Sequence, residues 1–226
     1  MAVSADIRRL RSGWLGRQPT KFQASLIDAV TWRHADAEAT INLAGEQVGG
    51  IWGIARGQVD VVSAIGVADS PIADIHLPGT WGGMAPLFCR ARVSNATARV
   101  PTLLANVPLV RLKEILNSNP EWWQCIGQLT MDFAIRYGGA TGDLLLRDSH
   151  QRVIAVLLRL ADCRHRDPAT SPTIILSHND LAAAANMSRH LAGETLRNLA
   201  EQHMIELGYR QVTILKAAAL RALVNA

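Results

Sequence analysis

SHNDLAAAANMSRHLAGETLRNLAEQHMIELGYRQVTIL, residues 177–215, carries the punctuation of two short helices, a tight turn between them and a hairpin behind. Ser177 can cap a helix, and Asp180 three residues on completes an S-x-x-D box that satisfies amide donors otherwise orphaned at the helix start. Leu181 and Ala185 fall on one face, and small Ala182, Ala183 and Ala184 let a second helix cross closely. Asn186 stands where the chain must reverse, and Asn tolerates the left-handed conformation better than any residue except Gly. Ser188 can cap the second helix, in which Ala192, Leu196 and Leu199 recur at intervals of four and three, leaving Arg189, His190 and Glu194 outside. Met204 to Glu206, a turn at Gly208, and Gln211 to Leu215 then alternate as two strands. This is the plan of a winged helix-turn-helix, which usually binds DNA; an αα-hairpin packed inside another domain has the same spacing.

The rest of the chain weighs against the second. At 226 residues and 49% hydrophobic it can bury one or two ordinary cores. No apolar run approaches the ~20 residues needed to cross a bilayer, since Val153 to Leu158 is cut by Arg159. Arg8, Arg9 and Arg11 are followed by no apolar export signal, so the expectation is a soluble cytoplasmic protein without a membrane role. Cys89, Cys125 and Cys163 are widely spaced with no C-x-x-C pair, which argues against a disulfide framework, structural zinc or an iron–sulfur cluster. His34 and His76 are isolated, turn or surface residues rather than haem ligands, so no cofactor and no metal are expected. The net charge of +4 is uneven: residues 1–35 carry six basic and two acidic groups, 36–150 eight and eleven, 151–226 nine and six. A basic C-terminal part suits a DNA-facing module, because phosphate neutralisation supplies most non-specific affinity.

From Ala39 to Val100, short runs of Ile, Val, Leu and Trp are punctuated by glycines, the pattern of a small β-barrel or jelly roll. Leu26 to Arg33 reads as a short helix before it, and Val107 to Leu116 as one after it. Asn119 and Pro120 form a helix start, a capping side chain followed by proline at the first helical position. Trp122, Ile126, Leu129, Phe133, Tyr137, Ala140 and Leu144 then step by four and three, a narrow seam for pairing with another helix, either of this chain or of a second copy. Gly138, Gly139 and Gly142 oppose a helix at about 1 kcal/mol each and are tolerable where two backbones approach closely or the helix bends. A further helix, Gln151 to Cys163, leads into the C-terminal module. The fold class is therefore α+β: an N-terminal β jelly-roll domain with flanking helices over 1–118, a long connecting helix over 119–147, and the winged helix-turn-helix over 148–226.

That order, together with Gly45-Glu46, Gly57, Pro78-Gly79, Asn119-Pro120 and Met187-Ser188-Arg189, resembles the CRP/FNR family of bacterial transcription regulators over roughly residues 36–215. The resemblance implies a homodimer through residues 120–147, double-stranded DNA as partner, a small-molecule effector in the β domain, and RNA polymerase as a further contact. Cyclic-nucleotide-binding members carry Gly-Glu-Leu and, ten residues beyond the Glu, Arg-Ser, which hold ribose and cyclic phosphate. The matching residues here are Gly82-Gly83-Met84 and Val93-Ser94, so both polar anchors are missing and ordinary cyclic AMP binding is not expected. Arg90 and Arg92 are near enough to reach inward, although one residue along a strand reverses the face. Trp81, Gly82, Gly83, Met84, Ser94, Asn95 and Tyr137 are the candidate lining, with core packing the alternative for Trp81 and Met84.

Of the family's base-reading Arg-Glu-x-x-x-Arg, the run Arg189-His190-Leu191-Ala192-Gly193-Glu194 keeps the first Arg, which can donate twice to guanine O6 and N7. His190 can donate to a phosphate or base. Glu194 can accept from cytosine N4 or stay on the solvent face. Ser177, His178 and Ser188, at helix starts, are candidate phosphate contacts as well as caps. A competing function, an enzyme on a metal-binding β-barrel, needs clustered ligands, and the β region offers His76 with no histidine pair. The other is a cytosolic small-ligand sensor that acts through a protein partner rather than DNA.

Overall fold

The computed structural model describes residues 2–63, 72–165, 167 and 170–225. Its contacts divide the chain into two units, Met1–Ala68 with His76–Ile135, and Asp69–Ile75 with Arg136–Ala226.

The first unit begins with helices α1 (Ala2–Leu10) and α2 (Thr20–Asp28), joined through a 3-10 turn at Trp14–Arg17. Eight strands follow along the chain, of which β5 is counted with the second unit except for His76: β1 (Thr31–Ala35), β2 (Thr40–Asn42), β3 (Ile51–Arg56), β4 (Val59–Ser63), β5 (Ile72–His76), β6 (Trp81–Gly82), β7 (Ser94–Ala98) and β8 (Thr102–Val107). They form two sheets of order β1-β8-β3-β6 and β2-β7-β4-β5, the strand orders of a jelly roll.

β3 is buried along Ile51 to Ala55 because both of its faces are covered. Ile51 and Ala55 join a cluster with Leu10, Trp14, Leu15, Phe22 and Leu26 of the N-terminal segment. Trp52 and Ile54 point the other way, into a cluster with Ile41, Val59, Ala96, Ala98 and Leu104. A strand covered on both faces reads as an apolar run rather than an alternation. In the second sheet β4 alternates instead, with Val59 and Val61 buried and Asp60 between them half-buried. Gly53 has no room for a side chain, since a Cβ there would lie 2.6 Å from the Trp81 ring. Gly57, at φ +94°, makes the tight turn from β3 to β4.

The basic N-terminal segment is thus structural. Its apolar side chains are buried at roughly 1.5–3 kcal/mol each, while Arg8 and Arg11 remain exposed. The polar ends of its aromatic partners are satisfied: Trp14 Nε1 donates to the Cys125 carbonyl at 2.8 Å and Trp81 Nε1 to the Leu10 carbonyl at 3.1 Å. The helix expected at Leu26–Arg33 ends at Asp28, because residues 31–35 pair with β8 as an antiparallel edge. His76 is buried, contrary to its expected surface position, with its ring 6.1 Å from Trp52 and 5.5 Å from Phe133. His34 is exposed on β1.

Helix α3 (Leu109–Ser118) leads to Asn119, whose side chain accepts from the Glu121 amide at 3.2 Å, and Pro120 opens the short turn before α4 (Trp123–Leu144). The 22-residue helix continues through Gly138, Gly139 and Gly142. Its sequence seam is corrected in one respect. Ile126 and Leu129 are buried in the first unit's own core, with Trp122 and Phe133 packed against it, so that part of the seam is already occupied. A neighbouring row remains open: Gly127, Met131, Ala134, Gly138, Thr141 and Leu145, exposed and again spaced four and three.

In the second unit α5 (Ser149–Leu160) is capped by Asp148, which accepts from the Gln151 amide at 2.7 Å, and is buried from Val153 to Leu160. It packs against α6 (His178–Ala184), α7 (Arg189–Glu201) and α8 (Ala217–Asn225). A sheet of order β10-β11-β9 completes the unit, with β9 (Thr173–Ile175), β10 (Ile205–Gly208) and β11 (Gln211–Ile214). β9 is absent from the sequence reading, because Thr173–Ile175 is too short to signal alone.

The unit also holds a buried ionic cluster. Asp74, fully buried, receives the Arg136 guanidinium through Nε and through Nη2 at 2.9 Å, while Arg136 Nη1 reaches Asp162 at 3.0 Å. Arg159 lies 3.9 Å from Asp74 and 3.3 Å from Asp143, and Arg164 lies 2.9 Å from Asp143. Burial alone lowers the Arg136 pKa, but the Asp74 and Asp162 carboxylates outweigh it and hold the guanidinium above its ordinary range.

Candidate nucleic-acid interface

The geometry of 177–215 follows from its caps. Ser177 Oγ accepts from the Asp180 amide at 3.1 Å and Asp180 Oδ2 accepts from the Ser177 amide at 3.1 Å, a complete capping box. The Asn186 backbone is left-handed at φ +51°, and its amide and that of Met187 return to the Ala183 and Ala182 carbonyls. Ser188 Oγ accepts from the Leu191 amide at 3.2 Å to start α7. Buried Ala182, Ala185 and Ala192 supply the close approach of the two helices, and Leu196 and Leu199 anchor α7 below them.

Outside, Arg189 and His190 are exposed, and neither makes a hydrogen bond or ion pair among the described residues. Glu194 is half-buried. Ser177, His178 and Ser188 sit at the ends of the helices; the serines accept as caps, which leaves each hydroxyl proton available to another acceptor. The hairpin turns at Tyr209 and Arg210, not at Gly208, which pairs with Gln211 as the last rung. Tyr209 is 92% exposed and Arg210 takes φ +52°. Sequence reasoning missed Arg197, which recurs at four-residue intervals with Arg189 and Gly193 and is exposed on the same row.

The expected effector lining is brought together only in part. Trp81 is 1% exposed and belongs to the core, with half-buried Met84 packed against it. Gly82 is buried beside Trp52. Asn95 Oδ1 accepts from the Ala44 amide at 2.8 Å, and the Ser94 backbone carbonyl accepts from Asn42 Nδ2 at 3.1 Å, so the Asn95 oxygen and the Ser94 backbone hold the strand edge. Tyr137 is counted with the other unit. Although more than a third of its surface is exposed, its hydroxyl is pushed up to about 12, by burial first and then by the Asp74 carboxylate, against the pull of Arg136 and Arg159.

The residue that does turn inward is Arg92. Val93 is exposed, and Arg92, one step earlier, is buried. Its Nη1 donates to the Gly83 carbonyl at 2.9 Å, and its Nη2 to the carbonyls of Gly50 at 3.2 Å and Val48 at 3.3 Å. Gly83, at φ +87°, has no space for a Cβ, which would fall 2.8 Å from Trp52 Nε1 and 2.9 Å from Arg92 Nη1. Burial lowers the Arg92 pKa, partly offset by Glu46. The guanidinium thus stands beside Gly83 with three backbone carbonyls already on its donors, and an anion arriving there must compete with them. Among the described residues no group of three His, Cys, Asp or Glu side chains is placed to hold a metal ion, and no helix is long and apolar enough to cross a membrane.

Residues 151–223 match the Crp-like helix-turn-helix domain model. No curated protein matches the sequence. Among solved structures, FixK2 from Bradyrhizobium japonicum superposes with a TM-score of 0.70 at 18% identity, over 86% of this chain and 96% of that one. A transcriptional regulator of the CRP/FNR family from Thermus thermophilus gives 0.63 at 20% identity, over 87% and 99%. The c-di-GMP-responsive global regulator CLP of Xanthomonas campestris gives 0.64 at 17%, over 87% and 99%.

Proposed function

We infer that this chain, which carries a Crp-like helix-turn-helix domain on the fold of the CRP/FNR-family regulators, is a DNA-binding transcription regulator that works as a homodimer and does not answer to ordinary cyclic AMP. The observation that carries the DNA reading is the pair Arg189 and His190, exposed at the start of a capped α7 with no partner among the described residues. The N-terminal turn of such a helix is the part that reaches base edges. RNA polymerase and a small effector belong to the same reading as further partners, and residues 1–118, 119–147 and 148–226 to its sensor, dimerisation and DNA-binding segments.

The open row on α4 supports a second copy of this chain as its partner. Gly127, Gly138 and Gly142 have nothing within 4 Å of where a Cβ would stand, and Met131 and Ile135 are each 59% exposed. A two-fold pair about α4 would set two α7 helices about one DNA turn apart and call for a roughly palindromic site.

Selection of bound fragments from random duplex DNA should return such a site. Arg189→Ala should then relax the preference at one base pair in each half-site, at about 1–3 kcal/mol. Equal affinity of both proteins for the selected site removes that role from Arg189. Cyclic AMP added to the same assay should leave affinity unchanged, because an anion beside Gly83 must compete with the three backbone carbonyls that Arg92 Nη1 and Nη2 already hold. A clear gain overturns this part of the reading.

A further inference from the structure

In the row Arg189, Gly193, Arg197 on α7 the middle residue has no side chain and is buried. A Cβ built at Gly193 would lie 3.3 Å from His178 Nδ1 and 3.6 Å from Arg197 Nη1. A ring from α6 and a guanidinium from α7 therefore close over the Gly193 backbone, and their nitrogens are separated by no more than the sum of those two distances. Arg197 arrives there because helical side chains lean toward the N-terminus, which carries its head group back by a turn. Glu194 and Glu201 stand one turn away on either side, the spacing at which surface ion pairs form. Even so, Arg197 makes no ion pair and no hydrogen bond among the described residues. Its charge is held on the outward row, beside a second N–H-bearing group, with no carboxylate to neutralise it.

We propose that Arg197 and His178 together grip one backbone phosphate of bound DNA, the missing side chain at Gly193 letting the two groups come together over the helix backbone. The inference rests on the DNA-binding reading above and adds to it Arg197, Gly193 and a shared ligand. The ligand is a phosphate rather than a base edge for a positional reason. Base edges are met by the first turn of the recognition helix, where Arg189 and His190 stand, whereas Arg197 is two turns further on. His178 belongs to the preceding helix, the one that crosses the DNA backbone. In the family pattern the second base-reading Arg falls at Glu194; here the second guanidinium on the surface comes from Arg197 and positions the protein without reading sequence.

The test is equilibrium binding of the full chain to its selected duplex and to a scrambled duplex of equal length, over a series of salt concentrations. Arg197→Ala should weaken both duplexes by the same factor and reduce the slope of log affinity against log salt by about 1 per protomer. Arg197→Lys should restore most of the slope. His178→Ala should weaken both duplexes alike, and the double variant should lose less than the product of the two single losses, since one phosphate is shared. An unchanged slope, a loss confined to the selected duplex, or strictly multiplicative losses overturns the joint grip while leaving the protein a DNA binder. Failure of the unsubstituted chain to bind any duplex with salt dependence removes the DNA reading itself.

Discussion

Arg136→Met lowers the stability of the unit that contains α5 and the helix-turn-helix by about 3–5 kcal/mol, the expected cost of removing one partner from a buried ion pair. The size follows from where Asp74 is. Its side chain is fully buried, so water cannot take over when the guanidinium goes, and Arg136 supplies both its bidentate pairing and the link to Asp162. Arg159, a second cation among the described residues, is 3.9 Å away and already donates to the Ala73 carbonyl at 2.7 Å, so it is a poor substitute. Exposed ion pairs such as Arg111 with Glu114 contribute at most about 1 kcal/mol, and their removal should pass almost unnoticed. Urea unfolding followed by far-UV circular dichroism measures the loss. Tryptophan fluorescence is the wrong probe, because Trp14, Trp32, Trp52, Trp81, Trp122 and Trp123 all belong to the other unit. Adding Asp74→Leu to Arg136→Met should recover part of the deficit, since an apolar pair is tolerated where a lone charge is not. A loss under about 1 kcal/mol in the single variant would mean that the cluster is effectively solvated.

The helix-turn-helix was legible because its determinants are local: a box closed within three residues at Ser177, one left-handed Asn186, and a cap at Ser188. The β domain was legible as a class but not in its pairing. Which strand lies beside β3 is decided by side chains distant in the chain, and β8 and β6 leave no local mark of that choice. The N-terminal segment was opaque for a different reason. Its arginines dominate the composition, while the residues that fix its place, Leu10, Trp14, Leu15, Phe22 and Leu26, disclose themselves only against β3 and β8. Arg92 shows the limit of motif matching. Counting ten residues from Gly83 reaches Val93, which is exposed, and the inward-facing group is its neighbour. In a chain where alternate residues face opposite ways, an offset of one changes the chemistry of a pocket.

The open face of α4 carries the other large effect. Periodicity identified a helix with apolar residues at intervals of four and three, but α4 has two such rows, and Ile126 and Leu129 of the first are consumed by the protein's own core. If the second row pairs with its copy, Met131→Asp should convert a dimer into a monomer in sedimentation equilibrium, and affinity for a palindromic duplex should fall by about 10²–10⁴, the advantage lost when two half-sites are no longer engaged by linked modules. Gly138→Leu distinguishes a close backbone crossing from a merely loose position. Exposed glycine in a helix interior costs about 1 kcal/mol against better helix formers, and a Cβ at 138 meets nothing within 4 Å of the chain itself. In an isolated chain the substitution should therefore stabilise α4. Where two backbones meet at Gly138 it must instead push them apart, so a variant with a firmer helix and a weaker dimer locates the crossing there. A dimer that survives both substitutions at full strength, or an unsubstituted chain that sediments as a monomer at micromolar concentration, removes α4 as the interface and with it the palindromic site.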